Sequence, residues 1–263
     1  HCTVAIGGDG ADELFGGYST HSRLLKLKKI QSFFPHIFRN GISKISNALL
    51  PTGFKGRNYL NFISIDFKND LPITNYPFNN YDRAKLMSNH PNWIMISEEI
   101  RKKLIPDEKD LIQRVTRHDF NNYLPADILV KVDRASMLNS LEIRAPFLDY
   151  RIIEFAYRDI GSEFKTTMNQ KKIFLKEICK KFFPKSFDFN RKQGFSIPLA
   201  DWLINDDKIK DLVFDNLYNS DTFFNKEFVN KIYNGLKKGY SNSEKIFCLL
   251  QFEILLRIKQ KIY

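Results

Sequence analysis

Residues 2–8, CTVAIGG, are the stretch that reads plainly as a buried strand: Thr3, Val4 and Ile6 are apolar or β-branched, and glycines end the run. A single strand has no stability of its own. Almost everything after Tyr18 carries apolar residues at three- and four-residue spacing, the period of helices. The expected fold is mainly α with a remnant of an α/β parallel sheet. The strands that pair with residues 2–8 are not obvious in this sequence, so the rest of the sheet is expected to be encoded upstream. The chain begins with His1, and a fragment or processed piece is expected.

The helical part has its own punctuation. Residues 19–34 form a helix stopped at Pro35, and residues 51–92, rich in Pro, Gly and Asn, form loops and short helices. Helical period then resumes through NWIMISEEIRKKLI, DLIQRVTRHDFNNYL, PADILVKVDRASMLNSL, DYRIIEFAYRD and NQKKIFLKEICKKFF. Pro125 is expected to open one helix, and Pro146 and Pro184 to close others. The late segment SEKIFCLLQFEILLRIKQKI is apolar around most of its circumference and should pack against several neighbours.

With 263 residues and 43% hydrophobic content the chain can bury a large core, as one domain or a domain with a small appendage. Its net charge of +11 points to anionic partners as a class to test. The lysines, however, are scattered through amphipathic segments such as LLKLKKI, which places them on solvated helix faces. No nucleic-acid motif accompanies them, so no nucleic-acid partner is expected. Cys2, Cys179 and Cys248 have no metal-ligand spacing and are odd in number, which fits a reducing, cytoplasmic setting. The apolar run IFCLL is far shorter than the ~20 residues of a membrane span, so no membrane association is expected.

Three segments carry chemistry. In residues 5–18, AIGGDGADELFGGY, a strand runs through glycines into a helix, a turn whose backbone N–H groups can approach a phosphate or carboxylate. Asp9, Asp12 and Glu13 would repel a bare phosphate there, and they make sense if Mg²⁺ or an amine is also handled. Residues 124–156, LPADILVKVDRASMLNSLEIRAPFLDYRIIEFA, place Lys131 and Arg134 at i and i+3 and allow Asp127 to pair with Lys131. Asp133, Arg134 and Ser136 interrupt an apolar stripe, and RAPFLD ends the helix with an Asp that caps the next. Finally, Lys171 and Lys172 begin a helix, where a cation opposes the macrodipole unless something anionic sits opposite.

GGDGADELFGGY, YLPADILVKVDRASMLNSLEIRAPFLDYRIIEFA, KKIFLKE and RKQGFSIPLADWL resemble, in order and spacing, the C-terminal synthetase domain of the glutamine-hydrolysing asparagine synthetase family. The resemblance covers nearly the whole of residues 1–263 and is thinnest between 35 and 92. It implies part of an adenine nucleotide α-hydrolase-like (ATP-pyrophosphatase) domain with an attached helical region. The implied cofactors are ATP and Mg²⁺, the implied reaction adenylation of the aspartate side chain, and the implied nitrogen donor ammonia from a glutaminase domain or subunit. Gly8 resembles a backbone contact to the nucleotide, Asp9 the acid that handles the ammonia proton, and Lys172 the lysine that stabilises the adenylation transition state. Asp12 and Glu13 resemble polar contacts near substrate and nucleotide, and Gly7, Asp133 and Arg134 complete the expected binding set. A homodimer stays open.

Gly7 stands where the family usually has Ser, and Asp9 is the shorter of the two acids found there. Both leave open another carboxylate acceptor, such as a sugar acid of a surface polysaccharide. The family's pyrophosphate-binding SGG-x-DS loop and its glutaminase domain do not occur in these residues, so the chain is expected to be a partial synthetase domain. Cys2 is expected to be a buried structural cysteine. A basic nucleic-acid-binding protein and a noncatalytic partner subunit are the readings from other classes.

Overall fold

The structure, a computed structural model, describes residues 2–68, 70–71, 77–189, 197–218 and 222–262. In order it runs β1 (Val4–Ile6), α1 (Ala11–Phe15), α2 (Ser19–Gln31), α3 (His36–Leu49), α4 (Arg57–Phe62), α5 (Asn80–Leu86), α6 (Pro91–Lys103) and α7 (Leu111–His118). A π-helix (Asp119–Leu129) leads into α8 (Val130–Met137), β2 (Glu142–Arg144), a 3₁₀ turn (Pro146–Leu148), α9 (Tyr150–Arg158), α10 (Ser162–Lys165) and α11 (Ile173–Cys179). The last elements are α12 (Leu199–Asn205), α13 (Asp207–Leu217), α14 (Lys226–Lys237) and α15 (Ser243–Ile262). The chain divides into two compact units, one of His1–Phe33, Ile65–Leu71 and Lys102–Lys192, the other of Phe34–Ser64, Pro72–Arg101 and Gln193–Tyr263.

The first unit contains the sheet. β1 pairs in parallel with β2, Val4 opposite Glu142 and Ile6 opposite Arg144, so the chain does supply a partner for its opening strand. The partner that was not obvious in the sequence is β2. EIR was hidden at the end of an apparent helix: α8 stops at Met137, and Ser140 adopts a left-handed φ of 53° before the chain extends. Arg144 is thus a strand residue bonded to Glu142 at 2.7 Å and does not end a helix. Cys2 lies ahead of the pairing and is exposed, which corrects the buried role expected of it.

Pro125 does not open a helix. It lies inside a helical run that continues from α7 through the π-helix into α8. Proline removes one N–H and crowds the carbonyl four residues back, and the wider π spacing accommodates both effects. The run starts at Asp110, whose carboxylate accepts from the amides of Ile112 and Gln113. Around it a core gathers Leu14 and Phe15 of α1, Ala156 of α9 and Ile160, with Phe120, Phe147 and Phe174 packed on them. Asp149 caps α9 as expected, accepting from the Arg151 amide.

The second unit is a helical core in which Leu203, Val213, Leu217, Val229, Ile232, Ile246 and Leu249 are buried together. α15 packs on α12, α13 and α14, in line with its apolar circumference, although Leu255 and Ile258 stay exposed. A buried ion pair, Arg57 with Asp82 at 2.9 Å, ties α4 to α5. Among the described residues no helix is long and apolar enough to cross a membrane.

Candidate active site

All three chemistry-bearing segments meet at α1. After β1 the Gly7 amide extends the pairing by donating to Arg144 O at 2.8 Å. Gly7 lies under the Asp9 carboxylate, because a β-carbon there would stand 2.8 Å from Asp9 Oδ2 and 3.0 Å from Ile143 Cγ2. Gly8 is exposed, and a β-carbon on it would meet nothing within 4 Å, so its backbone is open to a ligand. Gly10 has φ 91° and is pressed by Leu148, where any side chain would clash as well as strain the backbone. The glycines and the RAPFLD segment therefore form one packed turn, braced by Phe15 edge-on to Phe147 and stacked on Phe174.

Asp12 and Lys172 come together here. Lys172 Nζ lies 2.9 Å from Asp12 Oδ1, both side chains about a third exposed or less. Lys172 is the N-cap of α11 at φ 53°, a left-handed conformation uncommon for a residue with a side chain. The anion that a lysine at a helix start requires is thus in the chain itself. Gly17 makes room for the pair: a β-carbon there would stand 1.7 Å from Asp12 Oδ1 and 2.3 Å from Lys172 Cε. Asp9 remains half-buried at the turn.

Glu13 is 1% exposed, one of the four buried residues among the five of α1, so its carboxyl faces the interior. Burial raises its pKa, opposed by the hydrogen bond donated by the Tyr18 hydroxyl. Tyr18 packs edge-on to His21 and Tyr123. His21 Nε2 meets Asp119 Oδ2 at 2.9 Å, and His118 Nδ1 approaches Asp119 Oδ1 at 3.5 Å. Burial would raise the Asp119 pKa, but its hydrogen bonds to His118 and His21 outweigh burial and hold it low. This buried polar cluster went unseen in the sequence: its members are spread over α1, α2, α7 and the π-helix, and only two histidines on otherwise amphipathic helices hint at it.

Asp133 and Arg134 are exposed on α8, and among the described residues their side chains make no hydrogen bond or ion pair with Asp9, Asp12 or Lys172. Asp127, expected to pair with Lys131, hydrogen-bonds Tyr123 and raises that phenol's pKa together with burial, the larger cause. Residues 190–196, which carry all of RKQGFS, lie outside the described residues. Among the described residues no three His, Cys, Asp or Glu side chains converge to hold a metal ion.

The sequence that builds this arrangement has known relatives. The asparagine synthase family model matches residues 1–257. The chain belongs to the asparagine synthase family. It is 28% identical over 259 residues to asparagine synthetase [glutamine-hydrolyzing] 1 of Bacillus subtilis, covering 97% of this chain and 40% of that protein. It is 30% identical over 204 residues to a putative asparagine synthetase [glutamine-hydrolyzing] of Mycobacterium tuberculosis strain H37Rv, covering 77% of this chain and 31% of that protein. The chain thus spans less than half the length of these curated relatives. No solved structure matches it significantly. The family match runs through every segment that meets at α1, and the parallel strand pair set among helices is consistent with an adenine nucleotide α-hydrolase-like fold.

Proposed function

We propose that this chain is the C-terminal portion of a synthetase domain that forms asparagine from aspartate, ATP and ammonia through an acyl-adenylate. The observation that carries the reading is the Asp12–Lys172 pair beside the open Gly8 backbone, within a family match over almost the whole chain. An aspartate carboxylate oxygen attacks the α-phosphorus of ATP and pyrophosphate leaves; ammonia then adds to the acyl carbon, loses a proton and expels AMP. Gly8 lets the nucleotide approach the backbone. Lys172 moves from Asp12 to the charge developing on the phosphoryl oxygens, a contact worth most where it is made only in the transition state. Asp9 accepts the proton that ammonia loses.

Asp9 and Asp12 are the carboxylates of this turn that stay partly exposed, the donor type that Mg²⁺ takes. Such an ion commonly takes one or two carboxylates and completes its shell with phosphate oxygens and water. Asp12 and Asp9 would hold it, and when bound it would neutralise charge on the leaving pyrophosphate. The ammonia would come from a glutaminase domain or subunit, the activity that the relatives' names record.

A second acceptor is favoured by one observation. The Asp9 carboxylate lies 2.8 Å from where a β-carbon at Gly7 would stand, so the serine usual in the family would force this acid to shift. The paired departure at Gly7 and Asp9 supports a carboxylate other than aspartate as the second reading. Pyrophosphate release by the full-length protein, measured across a panel of carboxylic acids with ammonia, tests both readings. Aspartate should be preferred, and Lys172→Ala should lower the rate by about a hundredfold or more. Preference for another acid overturns asparagine as the product, and an unaffected Lys172→Ala overturns the assigned site.

A further inference from the structure

The second unit holds a cavity of about 680 Å³ whose charge is one-sided. Four cations line it, Arg57, Lys85, Lys231 and Lys238, against the single carboxylate of Glu227. Two of the four are already answered. Arg57 is 2% exposed and grips the neighbouring Asp82 with both ends of its fork, at 2.9 and 3.0 Å, and Lys231 Nζ meets Glu227 Oε1 at 2.6 Å. Lys85 and Lys238 have no carboxylate partner among the described residues; the Lys85 ammonium lies 4.3 Å from the Tyr81 ring centroid. Burial pushes down the pKa of Lys245 against the opposing influence of Asp82 and Glu244.

The rest of the lining says what kind of anion fits. Thr52, Ser88, Asn225 and Asn234 line the same space as Leu50 and Phe228, so the wall carries both hydrogen-bonding and apolar groups. A purely inorganic anion would use the first and waste the second. The volume lies in the range of pockets that enclose small organic ligands. No feature of this cavity draws on the Gly-rich turn or on Lys172.

We propose that this cavity binds a small organic phosphate of about mononucleotide size, its charge answered by Lys85 and Lys238 and its apolar part seated toward Leu50 and Phe228. Isothermal titration of the chain with AMP, adenosine and inorganic phosphate tests the assignment, because AMP serves as a phosphate-bearing probe and adenosine as its uncharged twin. AMP should bind saturably and weaken between low salt and about 0.3 M salt, as exposed charge contacts do. The Lys85→Gln/Lys238→Gln double variant should lose about tenfold or more in affinity, Lys85→Arg/Lys238→Arg should keep it, and Lys172→Ala should leave this binding unchanged. Both lysines are exposed, so these variants should fold as the parent does. AMP binding more tightly than inorganic phosphate supports an organic phosphate. Equal binding of the two, adenosine binding as tightly as AMP, an unaffected double Gln variant, or no saturable binding up to about 10 mM overturns it. Because the Lys172→Ala arm reports on the Gly-rich turn separately, failure here leaves the proposed synthetase reaction untouched.

Discussion

Replacing Gly17 with alanine should separate the geometry of the Asp12–Lys172 pair from the stability of the fold. The new methyl group would fall 1.7 Å from Asp12 Oδ1 and 2.3 Å from Lys172 Cε, where ordinary contacts lie at 3.4–4 Å. Both obstructing atoms belong to flexible side chains, so the cheapest relief swings the carboxylate and the lysine apart and lengthens the 2.9 Å contact. A partly exposed pair contributes about 1 kcal/mol or less, and residual overpacking costs about 1–3 kcal/mol, so the loss of stability should stay near 1–3 kcal/mol. Function should suffer more, since misplacing a charged group by about 1 Å can cost on the order of a hundredfold in rate. Urea unfolding of Gly17→Ala, Asp12→Ala and the double variant gives the first quantity, and pyrophosphate release by the full-length protein gives the second. Truncating Asp12 removes the nearest clash, so the two substitutions should be strongly non-additive in stability. Additive costs, or a Gly17→Ala protein that releases pyrophosphate within about twofold of the parent, would refute the reasoning.

Lys172→Gly should be more stable than Lys172→Ala by about 1 kcal/mol, because glycine accepts φ 53° freely, yet the two should be equally inactive; thermal unfolding beside pyrophosphate release checks this. Tyr18→Phe strips the buried Glu13 carboxyl of its hydroxyl donor and should cost about 1–3 kcal/mol by urea unfolding. Burial, with Arg117 nearby, brings the Lys165 pKa down to about 7 despite Asp110 and Glu108. The unfolded chain then binds more protons than the folded one from about pH 7 up to the ordinary lysine pKa of about 10.4, so this group makes stability rise with pH across that window. Lys165→Met should flatten that rise in urea unfolding measured from pH 6 to 10.

What the sequence made legible follows the strength of the local signals. β1 and its glycine stop were readable because β-branched residues and glycine act within a few positions. β2 was not, since three residues, Glu142, Ile143 and Arg144, sit where helical spacing and alternation agree and only the partner strand decides. Pro125 misled because a proline normally starts a helix, and nothing local announces that the surrounding turns are wide enough to absorb it. At the site, Lys172 was flagged by a cation at a helix start, and the structure supplied Asp12 as its counter-ion. The burial of Glu13 was not readable, because five residues are too few to show which side of a helix is buried. The histidine–aspartate cluster around Asp119 depends on side chains about a hundred positions apart, a separation to which periodicity is blind.

The parallel pairing of Val4–Ile6 with Glu142–Arg144 sets a timetable for assembly. The two strands are separated by roughly 140 positions, and closing so large a loop must precede the contacts that reward it. On a ribosome adding about 5–20 residues per second, the glycine turn waits several seconds or more for β2 to be made, and longer for Lys172. During that interval β1 stands without its β2 partner. The glycine turn is therefore among the last parts of the first unit to acquire its shape, and slow translation through residues 142–172 would prolong its exposure to wrong partners.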